Sequence, residues 1–212
     1  MVYEPKSGLV AVMNGNDGTV NLIDPVARKA AGSLTVGGKL EFAAADGSGK
    51  VFVNVEDKNE LVEIDMVNRK VGTHIALTGC EEPTGLDYDA QSHVLLAACS
   101  NGKAAAVFAA TGKLIGLVAI GEHPDAVIVD VKNRRFLVPC GGNGVLSEVK
   151  IASDGSLSAG AQFETKKGAR TGALDPATGK VYLPVADYEA AKPGERPAMV
   201  PGSFHLLVLG QN

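Results

Sequence analysis

Several residue classes are scarce or missing in this sequence, and each scarcity argues against a class of protein. Tryptophan is absent, and aromatic residues make up 5% of the 212 residues. No apolar run approaches the roughly eighteen residues that a membrane-spanning helix needs, so the sequence predicts no membrane span. The formal net charge is −4 and no basic cluster compensates for it locally, which predicts no nucleic-acid partner. Residues 1–5 contain neither a basic nor an apolar segment, so we expect no signal peptide in this chain.

Cysteine is also rare, with three residues at Cys80, Cys99 and Cys140. Their spacing does not match a metal-ligand pattern. Cys99 and Cys140 end apolar, strand-like runs, which favours buried free thiols. A disulfide or a reactive thiol is the alternative.

An internal repeat is the main positive feature of the chain, which is also rich in glycine with 26 residues. Five segments each contain an acid, a turn-forming stretch and then an alternating apolar strand. We call these acids the anchor acids, and they are spaced by 42, 43, 41 and 45 residues: Glu4, Asp46, Asp89, Asp130 and Asp175. Four short strands in each period of forty-odd residues are typical of a β-propeller blade.

The repeat therefore predicts an all-β fold, a single β-propeller of four-stranded antiparallel blades over residues 1–212, with about four and a half to five blades present. The repeats are predicted at 1–37, 38–80, 81–121, 122–165 and 166–212. The innermost strands are predicted to begin near Leu40, Thr84, Ala126 and Thr171, where small residues suit the crowded axis.

Two further features of the repeat carry predictions. Segment 186–203 breaks the period and is predicted as an extended loop without helix or strand, either functional or acting as a strap over an exposed edge. The anchor acids Asp46, Asp89, Asp130 and Asp175 are predicted to be structural, since an acid before a turn can accept backbone hydrogen bonds from the residues two or three ahead. Replacing Asp89 by alanine is predicted to cost on the order of 1 kcal/mol.

The chain resembles the YVTN-repeat propellers, and within them the YncE-like bacterial proteins. The resemblance rests on "TVNLIDPVARK", "VEIDMVNRKV", "IGEHPDAVIVD" and "LDPATGKVYLPVA", and it extends over essentially the whole chain. It implies a periplasmic or secreted propeller that binds a ligand or acts as a scaffold. Family propellers look seven-bladed, whereas this chain has too few repeats, so we expect a fragment of a longer propeller, with a compact five-bladed ring as the alternative. Open edge strands would favour assembly with a second copy.

The repeat also places a ring of polar residues at one end of the propeller axis. Positions five and seven before the anchor acids lie in the loops that enter the innermost strands, and equivalent loops of adjacent blades face one another. The candidate ligand-binding residues are Lys39, Glu41, Glu82, Thr84, His123, Asp125 and Arg170.

This ring has three interpretations: a solvated funnel whose charges pair with each other, a non-catalytic ligand site, or a catalytic metal or acid–base site. A divalent cation, if present, would use Glu41, Glu82, His123 and Asp125. A carboxylate or phosphate would use Arg170 or Lys39. The solvated funnel is favoured, because the sequence has no nucleophile elbow, phosphate loop or supported cysteine–histidine pair, and no catalytic residue is predicted.

The sequence thus predicts a non-enzymatic binding or scaffold module for a protein, peptide or cell-envelope ligand, with no cofactor. One alternative is a lactonase-like hydrolase that uses a divalent cation in the funnel. The other is a fragment that self-assembles through its open blade edges.

Overall fold

The strands predicted from the repeat are present. The computed structural model describes residues 1–152, 154–190 and 197–210 and shows an all-β fold. Five antiparallel sheets follow one another along the chain, and within each sheet consecutive strands are neighbours. Among the described residues the one helical element is a 3₁₀ turn at Glu56–Lys58, and no helix is long and apolar enough to cross a membrane.

Each sheet corresponds to one propeller blade. Blade 1 contains β1 (Val2–Glu4), β2 (Leu9–Asn14), β3 (Thr19–Asp24) and β4 (Lys29–Thr35); blade 2 contains β5 (Leu40–Ala45), β6 (Lys50–Val55), β7 (Glu60–Asp65) and β8 (Lys70–Ala76). Blade 3 contains β9 (Pro83–Asp89), β10 (Val94–Cys99), β11 (Lys103–Phe108) and β12 (Lys113–Ala119). Blade 4 contains β13 (Ile128–Asp130), β14 (Arg135–Cys140), β15 (Val145–Ile151) and β16 (Leu157–Glu164), and blade 5 contains β17 (Ala173–Asp175), β18 (Lys180–Val185) and β19 (His205–Leu209).

The first strand of each blade lies innermost, because β1, β5, β9, β13 and β17 contact one another in that order. Small residues allow this close approach. At Gly85 in β9, an added Cβ would lie 2.5 Å from the backbone carbonyl carbon of Ala126. The predicted starts agree with β5 and β9 to within one residue, whereas β13 and β17 begin two residues later than predicted. In blade 4, Pro124 forms an isolated bridge to Cys140, and the regular ladder begins at β13.

The core consists of apolar layers between adjacent blades. Both faces of β10 are covered, so all six of its residues are buried, whereas β3 buries only alternate residues. On the outward faces of the first and last blades, Tyr3 and Ile23 in blade 1 and Leu206 and Val208 in blade 5 are exposed. The two end blades therefore do not cover each other, and the sheets form a partial propeller; the alternative of a compact five-bladed ring is wrong.

In its described residues, segment 186–203 forms no helix or strand, as predicted, and a single β-bridge closes its base. Tyr188 and Met199 form an antiparallel bridge. The N–H of Glu189 donates to the carbonyl of Ala198, and the N–H of Val200 donates to that of Asp187. These cross-chain hydrogen bonds give the segment a narrow hairpin base, while its residues 191–196 lie outside the described part of the chain.

The cysteines differ from the favoured prediction of three free thiols. Cys80 and Cys99 form a disulfide with a Cα–Cα distance of 5.4 Å, because the loop before β9 passes over the end of β10. Cys140 is free and buried, as predicted, and burial raises the pKa of its thiol. The repeat explains why Cys140 is free. Cys140 lies 41 residues after Cys99 and is its equivalent in the next blade, but the position equivalent to Cys80, 41 residues later, is Gly121, so no cysteine is placed there to pair with Cys140.

Candidate functional site

The predicted ring residues lie on the loops that lead into the innermost strands and on the first residues of those strands. We call this surface the funnel mouth, formed by residues 37–41, 79–84, 121–125 and 166–170. Lys39, Glu82, His123 and Arg170 are exposed, and Glu41, Thr84 and Asp125 are partly buried.

In blade 2, Lys39 joins two acids. Its Nζ lies 3.3 Å from Oε1 of Glu41 and also pairs with the carboxylate of Glu56. Its backbone N–H donates to Oδ1 of Asp57 at 2.7 Å. Burial raises the pKa of Glu41, and a hydrogen bond with Glu56 raises it further. The hydrogen bond to Glu56 raises the pKa of Lys39, so this lysine is held as a cation against two carboxyl groups.

Glu82 and His123 occupy equivalent places in successive blades, and both have a left-handed backbone, with φ of 47° and 48°. The N–H of Glu82 donates to Oδ1 of Asn59 at 2.8 Å. The carbonyl of His123 accepts the N–H of Gly141. The loop of Glu82 is thus bonded to a turn of the preceding blade, and the loop of His123 is bonded to a turn of its own blade. These hydrogen bonds maintain a backbone conformation that non-glycine residues adopt rarely.

Two contacts join the loops of adjacent blades. Thr84 Oγ1 donates to the carbonyl of Pro124 at 3.0 Å. Arg170 Nε lies 3.3 Å from Oδ2 of Asp125. The structure therefore brings together Lys39 with Glu41, Asp125 with Arg170, and the loop of Thr84 with that of His123.

The residues of the metal alternative do not form a single cluster. In the described ranges, no three histidine, cysteine, aspartate or glutamate side chains lie close enough together to hold a metal ion. The carboxylate of Glu41 forms an ion pair with Lys39, and that of Asp125 forms an ion pair with Arg170. The charged side chains of Lys39 and Glu41 in blade 2, and those of Asp125 and Arg170, thus pair with each other.

Sequence reasoning missed Asp87, a carboxylate on the innermost strand β9. Its Oδ1 accepts the N–H of Tyr88, and its Oδ2 accepts the N–H of Val129 in the next blade, both at 2.8 Å. Burial raises the pKa of Asp87 in spite of these bonds. The sequence does contain a signal for Asp87. It lies two residues before its anchor acid, and the equivalent positions of the neighbouring repeats are apolar, at Ala44 and Ile128, so a charged residue there departs from the repeat.

Replacing Asp87 by asparagine should reduce the loss of stability between pH 4 and pH 8, because the cost of burying a charge disappears, while one of the two bonds to backbone N–H groups is lost at every pH. A raised folded-state pKa means that the wild type loses stability as the pH rises from about 4 through that pKa. Urea unfolding between pH 4 and 8 tests this. Asp154→Asn is the control, since Asp154 is exposed and hydrogen bonds from Ser156 lower its pKa. A decrease in stability between pH 4 and pH 8 that is as large in Asp87→Asn as in the wild type would contradict the prediction.

The anchor acids make the turn hydrogen bonds that the sequence predicts. Asp46 accepts the N–H of Ser48, Asp89 that of Ser92, Asp130 that of Asn133 and Asp175 that of Ala177. Glu4 does the same with Lys6 and Ser7, and its Oε1 also accepts the N–H of Gly49 in blade 2.

Asp89 also reaches the next blade, because its Oδ2 accepts a hydrogen bond from Nη1 of Arg134 at 2.8 Å. Contacts of this kind between an anchor acid and the following blade could not be read from the repeat, which reveals only the turn.

Comparisons with known proteins give the fold alone. No family model matches the chain, and no curated protein matches its sequence. Among solved structures, it is similar to hydrazine synthase from Kuenenia stuttgartiensis, with a TM-score of 0.77 and 13% identity over 97% of this chain and 60% of that one. It is also similar to a functionally unknown protein from Desulfotomaculum acetoxidans DSM 771, with a TM-score of 0.71 and 15% identity over 96% of this chain and 66% of that one. The chain spans less than two thirds of either structure, and at these identities the likeness shows a shared fold and no shared activity.

Proposed function

We propose that this chain is a non-enzymatic binding module of the YVTN-repeat, YncE-like kind, which recognises a peptide or protein segment at the funnel mouth. The family assignment is supported by "TVNLIDPVARK" and "LDPATGKVYLPVA", which fall on strands β3 and β18 and the turns beside them. The binding function is supported by the geometry of the mouth.

The observation that carries the proposal is that direct contacts join the mouth loops of neighbouring blades. The bonds from Thr84 to Pro124 and from Arg170 to Asp125 link neighbouring loops, while the side chains of Glu82, His123 and Arg170 remain exposed. A pre-ordered surface with both charge signs can bind a mixed-charge polypeptide at a low entropic cost. The guanidinium of Arg170 can also make paired hydrogen bonds to a carboxylate.

Export from the cytoplasm is part of the proposal. The disulfide between Cys80 and Cys99 supports it, because disulfides persist mainly in oxidising compartments such as the periplasm or the extracellular space. The family resemblance points to the same compartments.

Peptides selected from a random display library on the wild-type protein should bind the double variant His123→Ala, Arg170→Ala about tenfold more weakly or worse. Two exposed polar contacts are then lost, and each charge-assisted hydrogen bond is worth about 1.5 to 3 kcal/mol. Calorimetric titration of the purified variants gives the measurement.

The matched control is the double variant His74→Ala, Lys113→Ala. It also removes one histidine and one cationic side chain, but from exposed positions on the outer strands β8 and β12. It should bind the peptides as the wild type does. Equal affinity of all three proteins would reject the mouth as the binding surface. A stoichiometric divalent cation that is lost in Glu82→Ala would reject the non-enzymatic proposal in favour of the hydrolase hypothesis.

A further inference from the structure

The junctions between adjacent blades differ in the group that reaches the anchor acid of the preceding blade. At the junction of blades 3 and 4, Nη1 of Arg134 donates to Oδ2 of Asp89 at 2.8 Å and to Oε1 of Gln91 at 2.9 Å. At the junction of blades 1 and 2, the N–H of Gly49 donates to Oε1 of Glu4 at 3.0 Å. At both junctions a donor from the next blade thus satisfies the anchor acid and joins the two blades.

The junction of blades 2 and 3 has the acceptors of this arrangement without the donor. Asp46 is the anchor acid, Ser48 follows it by two residues, and His93 lies where the repeat places Arg134 in blade 4. His93 turns toward its own blade instead, since its Nδ1 lies 2.9 Å from the hydroxyl of Tyr88. Among the described residues, the hydrogen bonds to the Asp46 side chain come only from its own turn.

A pocket of about 340 Å³ lies at this junction, and its lining includes Asp46, Ser48, Tyr88 and His93. The ammonium group of Lys50 also borders the pocket, but it pairs with Glu63 at 2.8 Å. Burial raises the pKa of Tyr88, and the negative charges of Asp46 and Asp89 raise it further, so the phenol is neutral at pH 7. The pocket therefore presents a carboxylate and neutral oxygen atoms, a combination that suits a cation.

We propose that this pocket binds a guanidinium group from outside the chain, in the place that corresponds to that of Arg134 at the next junction. The group donates hydrogen bonds to Oδ2 of Asp46 and to the hydroxyl of Ser48, and Tyr88 borders it on blade 3. The site lies at the opposite end of the innermost strands from the funnel mouth, because β5 begins at the mouth and ends beside Asp46. The proposal therefore stands independently of the proposed function.

The chemistry of the pocket favours a guanidinium over other cations. Its flat fork presents several donors in a fixed geometry, whereas an ammonium is a compact and strongly hydrated point charge. The molecule itself uses a guanidinium for the equivalent pair of acceptors, at Arg134. A metal ion is not favoured, since the described residues contain no cluster of three metal-ligating side chains. The group can belong to an arginine side chain of a partner polypeptide or to a small guanidino compound.

The test titrates N-acetylarginine amide into the full 212-residue protein labelled with ¹⁵N, and follows the amide chemical shifts by NMR. We expect saturable shifts in residues 46–50 and 88–93, with a dissociation constant in the millimolar range, as befits one small group with two charge-assisted contacts. N-acetylcitrulline amide has nearly the same shape without the charge, and should bind about tenfold more weakly or worse.

A capped pentapeptide with arginine at its centre distinguishes the two sources of the group. Tighter binding of the pentapeptide than of N-acetylarginine amide supports a polypeptide ligand, because flanking main-chain groups then add contacts. Equal affinity of the two probes supports a small guanidino compound.

Two variants test the acceptor and the vacant donor position. Asp46→Asn should weaken binding of N-acetylarginine amide about tenfold or more, and Asp175→Asn, at the anchor acid of another blade, is the matched control that should leave it unchanged. His93→Arg should abolish binding, because its own guanidinium then reaches Asp46 as Arg134 reaches Asp89. This added ion pair should also raise the thermal midpoint by about 2 °C.

His93→Gly is the control for the loss of the imidazole. Glycine occupies the equivalent position in blades 1 and 5, at Gly8 and Gly179, and it accepts the left-handed backbone of His93, whose φ is 57°. This variant leaves the pocket open and should bind N-acetylarginine amide as the wild type does. The backbone of Arg134 has a φ of 53°, so arginine is also tolerated at this position.

Three results would each overturn the proposal. The first is equal affinity for the arginine and citrulline probes, and the second is equal affinity of Asp46→Asn and Asp175→Asn for the arginine probe. The third is wild-type affinity in His93→Arg. Thermal unfolding midpoints check that every variant is folded, and the comparison of His93→Arg with His93→Gly decides the matter even if Asp46→Asn does not fold.

Discussion

Replacing both Cys80 and Cys99 by alanine should lower the free energy of unfolding by about 3 kcal/mol, because the disulfide closes a loop of roughly twenty residues and restricts the unfolded chain. For a chain of this size, that loss corresponds to a decrease of about 6 to 12 °C in the thermal midpoint. Differential scanning calorimetry of the wild type and the variant gives the measurement. The effect should be the largest of any substitution considered for this molecule.

Reduction provides an independent control for the same prediction. Dithiothreitol should lower the midpoint of the wild type and leave that of the double variant unchanged. Unfolded, unreduced protein should titrate one thiol, that of Cys140, and the folded protein should titrate none because this cysteine is buried. Three thiols in the unfolded, unreduced protein would show that the disulfide is absent.

The second large effect should come from Asp89→Ala, which we expect to lower the free energy of unfolding by about 2 kcal/mol. This is more than the sequence alone predicts, because Asp89 is fully buried and binds Arg134 of the next blade in addition to Ser92 of its own turn. Arg134 is partly exposed and can be rehydrated after the substitution, so the loss should stay below that of a fully buried ion pair.

Asp175→Ala is the matched control, since among the described residues the hydrogen bonds to the Asp175 side chain come only from its own turn, from Ala177 and Thr178. It should cost distinctly less than Asp89→Ala. Equal costs would show that the contact with Arg134 adds nothing to stability.

The pH dependence of stability follows from the same residue. Burial acts to raise the pKa of Asp89, but the hydrogen bonds from Ser92 and Arg134 outweigh it and hold the pKa below its usual value. The ionised carboxylate therefore contributes stability above about pH 4, the unfolded-state value, and this contribution is lost as the pH falls toward the folded-state pKa. Guanidinium unfolding between pH 3 and 7 should show a smaller acid-induced loss of stability in Asp89→Ala than in the wild type.

The architecture was predictable because it is encoded locally and repeated. The period of the anchor acids and the two-residue alternation of the strands are both visible in the sequence, and the strand segments 19–24, 60–65 and 145–151 match β3, β7 and β15. Contacts between repeats are not encoded in this way. The pair Cys80 and Cys99 joins a loop to the end of a neighbouring strand, and spacing alone does not reveal that the two residues meet.

The candidate site was predictable only in part. The register correctly placed Asp125 and Arg170 on adjacent loops, where they form an ion pair. It did not show that Lys39 turns toward Glu41 and Glu56, because side-chain direction depends on rotamers and neighbours that a repeat does not specify. Asp87 was not predicted, because the register identifies the loop positions five and seven residues before the anchor acid, and Asp87 lies on the strand that follows.

Amide hydrogen exchange with a display-selected peptide tests the central claim, that the molecule is a binding module with its site at the funnel mouth. With saturating peptide, slower exchange is expected in 81–84, 121–125 and 166–170, and unchanged exchange is expected on the outer strands of blades 1 to 4. Protection confined to those outer strands, with no change in any of the three mouth segments, would contradict the account.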